Sequence, residues 1–463
     1  MSKVIVIGSG PAGVLAAIAL KRQGLEPTLY DKVEPLAALQ ESVRTGEPPN
    51  IQFGEVGGSV SLYGNGLRAL RNLGLLEGVE ELRDLNGLDE MNFMLMNGSD
   101  RIVRNLRTTK PGEIPPFVVL RSAFHAVLMK AANVLGIRSS VKRPFIETTK
   151  AMFMYALTRV CFRSFSGKKI KNLVQSDSGV TVEFEDGTIT TGDLVIGADG
   201  IHSKTRKLIF ENAPKPTCFG TGYLGVLDRQ TNPDVPIVDF EHCMGLYMNP
   251  VEGHHVYFNR CGSTEGSFSV LDMNFDTINE DLDDWRPVTN LPRESETLGA
   301  LVDSWGAPKS VGNCIRHAKR ITPVNLYDLP DLPILYKNRV VLIGDAAHGT
   351  LPTYGQGLNQ AIEDAATLGD LFGHFNKTLE QDYTTVFEIY NKVRIPRVHK
   401  CAALSRQTAA RLRASSYFSM RIGRLFMRAI MTVFNAFQLN DDILYHDYRT
   451  DLVKAVPDIQ FTS

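Results

Sequence analysis

What the chain lacks narrows its class before any motif is read. No apolar run reaches the ~18 residues that a membrane-spanning helix needs. Lysine and arginine (50) nearly balance aspartate and glutamate (51), leaving a net charge of -1. No overall field therefore favours nucleic acid or another polyanion, and no nucleic-acid partner is expected. The six cysteines, Cys161, Cys218, Cys243, Cys261, Cys314 and Cys401, are scattered with no Cys-x-x-Cys spacing. Neither a metal knuckle nor a disulfide framework fits that pattern. Reduced thiols, no metal and a cytoplasmic setting are expected. The first residues run straight into a strand pattern, so no secretory signal is expected either. What remains is ordinary for a globular protein: 463 residues, 43% hydrophobic and 22% charged, enough for two or three structural units.

Two stretches carry most of the information. Arg339 to Asp364 reads as strand, loop and helix: Val340 to Ile343 is a short apolar run, Gly344-Asp345 breaks it, and Gly355-Gln356-Gly357 opens a helical pattern through Leu358 and Asn359. Glycines at a helix start let backbone N–H groups approach a ligand, and the helix N-terminus favours an electron-rich group. The Asp345 carboxylate is suited to accept hydrogen bonds from a polyol. At the other end, Val4 to Ile7 is a buried-strand run followed by Gly8-Ser9-Gly10-Pro11-Ala12-Gly13 and an Ala/Leu-rich helix. A second strand, Leu25 to Tyr30, ends at Asp31. This is a dinucleotide fingerprint in its proper context: Gly8 for the tight turn, Gly10 to admit a pyrophosphate, Gly13 for helix–strand packing, and Asp31 for ribose hydroxyls.

A third motif, Asp193-Leu-Val-Ile-Gly-Ala-Asp199-Gly-Ile-His-Ser-Lys-Thr-Arg206, completes a set. With the first two it resembles the class A FAD-dependent aromatic monooxygenases, the group containing para-hydroxybenzoate hydroxylase, salicylate hydroxylase and zeaxanthin epoxidase. The resemblance covers about Lys3 to Ala366. It implies a Rossmann-like α/β domain holding noncovalent FAD, interleaved with an antiparallel β-sheet substrate domain and followed by C-terminal helices. It further implies that Asp199 lies near the flavin pyrophosphate and that Asp345 holds the ribityl chain. Pro352 is placed beside the reacting face of the flavin, and Gly58 and Ser59 become backbone contacts. Arg121, at a strand–helix junction, is implied to reach the FAD, with a plain strand-capping arginine as the alternative. Arg44 has the same two readings, adenosine phosphates or solvated loop. In this family His348 is a structural residue.

From Thr217 to about Ile321 short alternating runs predict an antiparallel sheet with a hairpin tip at Pro250-Val251-Glu252-Gly253. The resemblance makes this sheet the roof of the flavin, where Tyr223, Tyr247 and Tyr257 either line the substrate pocket or fill core. The expected units are a cofactor domain from 1–216 and 322–400, a substrate domain at 217–321 and a helical segment at 401–463. Arg138 to Ser166 departs from the family pattern and reads as a surface excursion or as translated intron. In the C-terminal segment Ile422, Leu425, Phe426, Ala429, Ile430, Val433, Phe434 and Phe437 form one stripe, with Arg421, Arg424 and Arg428 off it. That stripe packs against the cofactor domain or a second subunit, or lies on a membrane surface, so monomer and homodimer are both open.

The resemblance implies a single-component enzyme in which NADPH or NADH reduces FAD, O2 adds at flavin C4a, and the hydroperoxide hydroxylates or epoxidises a small aromatic or alkene. It names no side chain as acid or base. With only Trp285 and Trp305 present, the Trp-x-Trp motif of flavin halogenases is excluded. A non-catalytic escort of prenylated proteins on the same fold is the remaining rival, and it needs neither the Asp199 motif nor the Asp345 loop.

Overall fold

The computed structural model describes residues 1–32, 57–83, 88–106, 112–139, 167–229, 243–262, 264–273, 287–375, 383–437, 439 and 442–461. Its centre is a six-stranded sheet in the order Tyr336–Lys337, Val340–Leu342, Leu194–Gly197, Lys3–Ile7, Glu26–Tyr30, Arg138–Ser139. All neighbours are parallel except the first pair. Unbroken aliphatic runs suit these strands because both faces are covered. The helices Pro11–Arg22 and Gly357–Phe375 lie close together, a Cβ at Gly369 falling 3.1 Å from that of Ala19. A three-stranded antiparallel sheet, Ile170–Ser176, Gly179–Phe184 and Ile189–Gly192, packs into the same core through Val180, Val182 and Phe184. Here Tyr30 stacks on Phe184 at 5.1 Å.

The second sheet has seven strands, in the order Arg320–Asp328, Thr217–Asp228, Glu265–Asp272, His254–Arg260, Cys243–Asn249, Glu90–Leu95, Ile102–Asn105. The predicted hairpin is present, with Asn249 paired to His254 across the turn. Two expected boundaries are corrected. The sheet takes its last two strands from 90–105 and continues past 321 to Asp328, so the substrate layer is not one continuous segment. The helix Thr384–Arg411 runs through position 400, and Tyr448 and Leu452 of the helix Tyr448–Ala455 return to the first core. The excursion from Arg138 begins inside the cofactor sheet, where Thr28 pairs with Arg138 and Leu29 with Ser139; 140–166 lie outside the described residues.

One face of the seven-stranded sheet is sealed by the helices Leu291–Ser304 and Lys309–Arg316, whose Leu298, Val302, Val311 and Ile315 pack on Tyr247, Val256, Phe268 and Val270. The opposite face is turned to the cofactor domain: Ser267 Oγ donates to Ser59 Oγ at 2.6 Å, and Arg320 Nη2 donates to the Gly57 carbonyl at 3.0 Å.

Candidate active site

The site forms where the two informative stretches meet. Gly8 has φ +102°, and a Cβ there would lie 2.3 Å from the Ala198 carbonyl oxygen; one at Gly13 would lie 2.0 Å from the Gly8 oxygen. Both positions require glycine because strand ends and helix start are in contact. Gly10 differs: among the described residues nothing lies within 4 Å of an added Cβ, and as N-cap it offers no side chain to the first helical N–H groups. An uncapped helix start with room beside it is the arrangement an anion needs. Ser9 donates through backbone N (2.7 Å) and Oγ (2.8 Å) to one carboxylate oxygen of Asp31, which fixes that carboxylate against the loop.

Across the sheet Gly344 (φ +55°) brings the second loop against the first, its would-be Cβ 2.9 Å from Ala12 Cβ. Asp345 follows, its side chain accessible yet close enough to Arg121, His348 and Asp364 to feel their charges. Arg121, the first residue of the helix Arg121–Val134, has the same character. Burial pushes the Asp345 carboxyl above its ordinary range, while His348 and Arg121 pull it back and Asp364 pushes it further up. Burial lowers the Arg121 pKa, and Asp345 opposes that. A carboxylate and a guanidinium thus share one desolvated cleft.

The rest of the loop is held by side chains that the sequence offered as ligand contacts. Pro352–Tyr354 makes a short 3-10 turn closed by Gly355 N donating to the Pro352 carbonyl at 3.0 Å. Gly355 (φ +65°) packs on Tyr63, and Gly357 has open space around it at the start of its helix. Leu358 packs on the core. Asn359 is fully buried and its amide is engaged: it accepts from Tyr63 N and donates to the Ser61 and Gly355 carbonyls. Its side chain is a clamp between strand and loop. The Asp199 carboxylate likewise turns inward, accepting from Ser203 Oγ (2.6 Å), Thr205 N (2.9 Å) and Thr205 Oγ1 (3.0 Å). Gly58 accepts from Arg121 N at 3.0 Å, and the Ser59 hydroxyl bonds to Ser267 and Asn259 of the second sheet. Arg44 lies outside the described residues.

Register decides among the three tyrosines. Tyr247 is opposite Val256, and Tyr223 opposite Val270; all four belong to the helix-covered face. Of the two readings, Tyr247 takes the core one, and Tyr223 packs partly buried against the same cluster. Tyr257, opposite Leu246 and Ser269, faces the other way and packs near Leu351 and Tyr354. It is partly exposed, and desolvation pushes its phenol well above the usual range.

The family model described as "FAD binding domain" matches residues 334–404. Salicylate hydroxylase of Pseudomonas putida is 30% identical over 426 residues, covering 88% of this chain and 85% of that one. The chain belongs to the FAD-dependent aromatic monooxygenases. A further relative, 3-amino-4-hydroxybenzoate 2-monooxygenase of Streptomyces cremeus, is 27% identical over 381 residues, or 79% of this chain and 77% of that one. Among solved structures, a salicylate hydroxylase substrate complex superposes with TM-score 0.69 at 22% identity, covering 98% of each chain, which shows a common fold. FAD is the cofactor of this monooxygenase. The residues present fit it: a glycine N-cap with room beside it, a helix start with free space at Gly357, and an accessible, desolvated carboxylate at Asp345.

Sequence reasoning passed over the buried charges beneath this cleft. Asp364 is fully buried and accepts from Gly344 N (2.8 Å), His348 Nε2 (2.6 Å) and Arg394 Nε (2.8 Å). Glu363 beside it is held by Arg394, Arg397 and Asn65. Burial opposes both charges, yet the arginines and hydrogen bonds outweigh it, holding Asp364 far below the usual range and Glu363 down to about 2. Arg206 is buried as well and donates to the Ala346 (2.9 Å) and Ile201 (2.7 Å) carbonyls, tying the third motif to the Asp345 loop. On the sheet, His255 shares the cofactor-facing side with Tyr257. It is 1% exposed, and neither ring nitrogen has a hydrogen-bond partner among the described residues. Among these the sequence signal was faint: a Glu-Asp pair ending the loop stretch, and Arg394 and Arg397 at helical spacing.

Proposed function

We propose that this monooxygenase is a single-component hydroxylase that takes electrons from NADPH or NADH and one oxygen atom from O2. Its substrate is a small, electron-rich aromatic compound held between the Asp345 loop and the sheet face bearing Tyr257. The observation that carries this reading is the desolvated Asp345–Arg121 pair at the cofactor loop, with Tyr257 on the sheet face turned to the cofactor domain and packed on the same cluster as Leu351 of that loop. Relatives named for salicylate, 3-amino-4-hydroxybenzoate, hispidin and urate support an aromatic or heteroaromatic substrate over an isolated alkene. The escort alternative is not favoured, because it has no use for the Asp345 loop.

The residue roles follow from chemistry and placement. The N-terminus of Pro11–Arg22, open at Gly10, receives the pyrophosphate, and Asp31, fixed by Ser9, accepts from the adenosine ribose. Asp345 accepts from ribityl hydroxyls, while Arg121 balances negative charge in the cleft. The helix starting at Gly357 would offer the Leu358 and Asn359 backbone to the flavin, its positive end suited to the negative charge that reduction brings. Gly58 and Ser59 contribute backbone, and Asp199 acts by capping its helix rather than by direct contact. Pro352, which opens the 3-10 turn of this loop, would lie beside the flavin and bring no N–H donor there. The bound flavin supplies hydride acceptance and oxygen activation; the chain supplies position and water exclusion.

Stopped-flow reduction with NADPH and with NADH, in the presence of salicylate and related phenols, tests the reading. One phenol should accelerate flavin reduction by one nucleotide. Flavin that neither nucleotide reduces, with or without any phenol, would overturn it.

His255 gives a sharper handle on substrate. Burial, then His254 and Arg413, hold its imidazole neutral, with the pKa pushed down to about 3. A neutral imidazole offers one donor and one acceptor, and leaving both unmet costs about 1–3 kcal/mol. His255→Leu is therefore expected to unfold no more easily than wild type, to retain FAD, and to raise KM about tenfold, equivalent to one lost hydrogen bond. An unchanged KM would remove His255 from the substrate site.

A further inference from the structure

The helix Tyr417–Ala436 presents its apolar stripe outward. Its one buried residue is Arg424, which bonds to the Asp100 side chain and carbonyl. Arg428 takes the other Asp100 oxygen, and Asn435 accepts from Asn105 N and donates to the Val103 carbonyl, both at 2.8 Å. The polar edge is thus the one fastened to the strand Ile102–Asn105. On the far side Phe418 is 74% exposed, Leu425 68%, Phe426 66% and Phe437 72%, with Ile430 and Val433 between them. At 100° per residue these six share one side of the helix. An apolar face of this continuity marks an interaction surface.

Charge chooses the occupant. Residues 389–440 contain ten lysines and arginines and no aspartate or glutamate, in a chain of net charge -1. Five of the ten, Arg394, Arg397, Arg406, Arg424 and Arg428, pair with acids of neighbouring elements. Arg411 and Arg421 stand exposed at the approach to the helix and along its side. A second copy docking face to face would bring the same exposed cations, Arg411 and Arg421, against each other. Crossing a bilayer is ruled out for this helix, since among the described residues none is long and apolar enough. We propose that Tyr417–Ala436 is an interfacial helix by which the protein lies on an anionic lipid surface, its phenylalanines and leucine in the acyl boundary and Arg411 and Arg421 among the head groups.

Flotation of the holoenzyme with phosphatidylcholine vesicles, with and without phosphatidylserine, tests this. Wild type should rise with the serine-containing vesicles. Omitting phosphatidylserine, or Arg421→Gln, should lower the partition coefficient about fivefold or more, the effect of about 1 kcal/mol per basic residue. The pair Leu425→Glu and Phe426→Glu should abolish flotation while FAD absorbance and circular dichroism stay as in wild type; if that pair sheds FAD, Phe418→Ser supplies the same reading. Wild type that stays at the bottom of the gradient with both vesicle types overturns the proposal. So does a dimer, by light scattering, that the double variant dissociates while vesicles fail to capture wild type.

Discussion

Arg394→Met is expected to destabilise the fold by about 3–5 kcal/mol, the usual consequence of removing one partner from a buried ion pair. Arg394 is 1% exposed and donates to Asp364 Oδ1 (2.8 Å), to Glu363, and to Gln360 Oε1 (2.7 Å). Methionine fills similar volume but leaves two adjacent buried carboxylates with only Arg397 and His348 to offset them. Because Asp364 also holds Gly344 N, the damage reaches the cofactor loop, and FAD content should fall with stability. Denaturant unfolding at neutral pH measures the first effect and flavin absorbance the second. The pH dependence separates charge from packing. Glu363 has its pKa lowered from 4.5 to about 2, so its ion-pair stabilisation is complete above 4.5 and is lost as pH falls toward 2. The gap between wild type and variant should therefore narrow across that interval. A gap that stays constant would make the loss one of packing alone.

The fold was legible because its signals are local. Gly8, Gly13 and Gly344 sit where backbone meets backbone, and only glycine fits, so their spacing announced the two loops. The runs Val4 to Ile7 and Val340 to Ile343 read as buried strands because both faces of that sheet are covered. The site was less legible where the deciding fact is which way a side chain points. Alternation along the second sheet gives parity but not which parity meets the flavin, since protein covers both faces; Tyr223 and Tyr247 fell on the helix side and Tyr257 on the other. The C-terminal stripe was visible, but its direction depends on Arg424, Arg428 and Asn435 finding partners at Asp100, Val103 and Asn105, more than 300 residues away. Asn359 and Asp199 belong to the right motifs, yet their side chains hold backbone in place. Arginines such as Arg394 normally read as solvated, and nothing near it in sequence marks Glu363 and Asp364 as its partners.

Asp345→Ala should weaken FAD binding roughly 10- to 150-fold, the loss of a charge-assisted hydrogen bond worth about 1.5–3 kcal/mol. The cost to the fold should be small or even negative. In the ligand-free protein the Asp345 carboxyl is pushed above its ordinary range, chiefly by burial, with the neighbouring Asp364 adding to it. An acid whose folded pKa is raised loses stability on ionising, so at neutral pH the charged Asp345 is a strain on the empty fold. Alanine relieves that strain, whereas Asp364, which anchors Gly344 and His348, keeps the loop in shape. The two readouts therefore diverge: a melting temperature for the apoprotein at or above that of wild type, alongside a much weaker flavin complex by fluorescence titration. That divergence is what a ligand-directed carboxylate produces and a structural one does not. FAD affinity equal to wild type would remove Asp345 from the cofactor site, and a fall in apoprotein stability matching the fall in affinity would make its role structural.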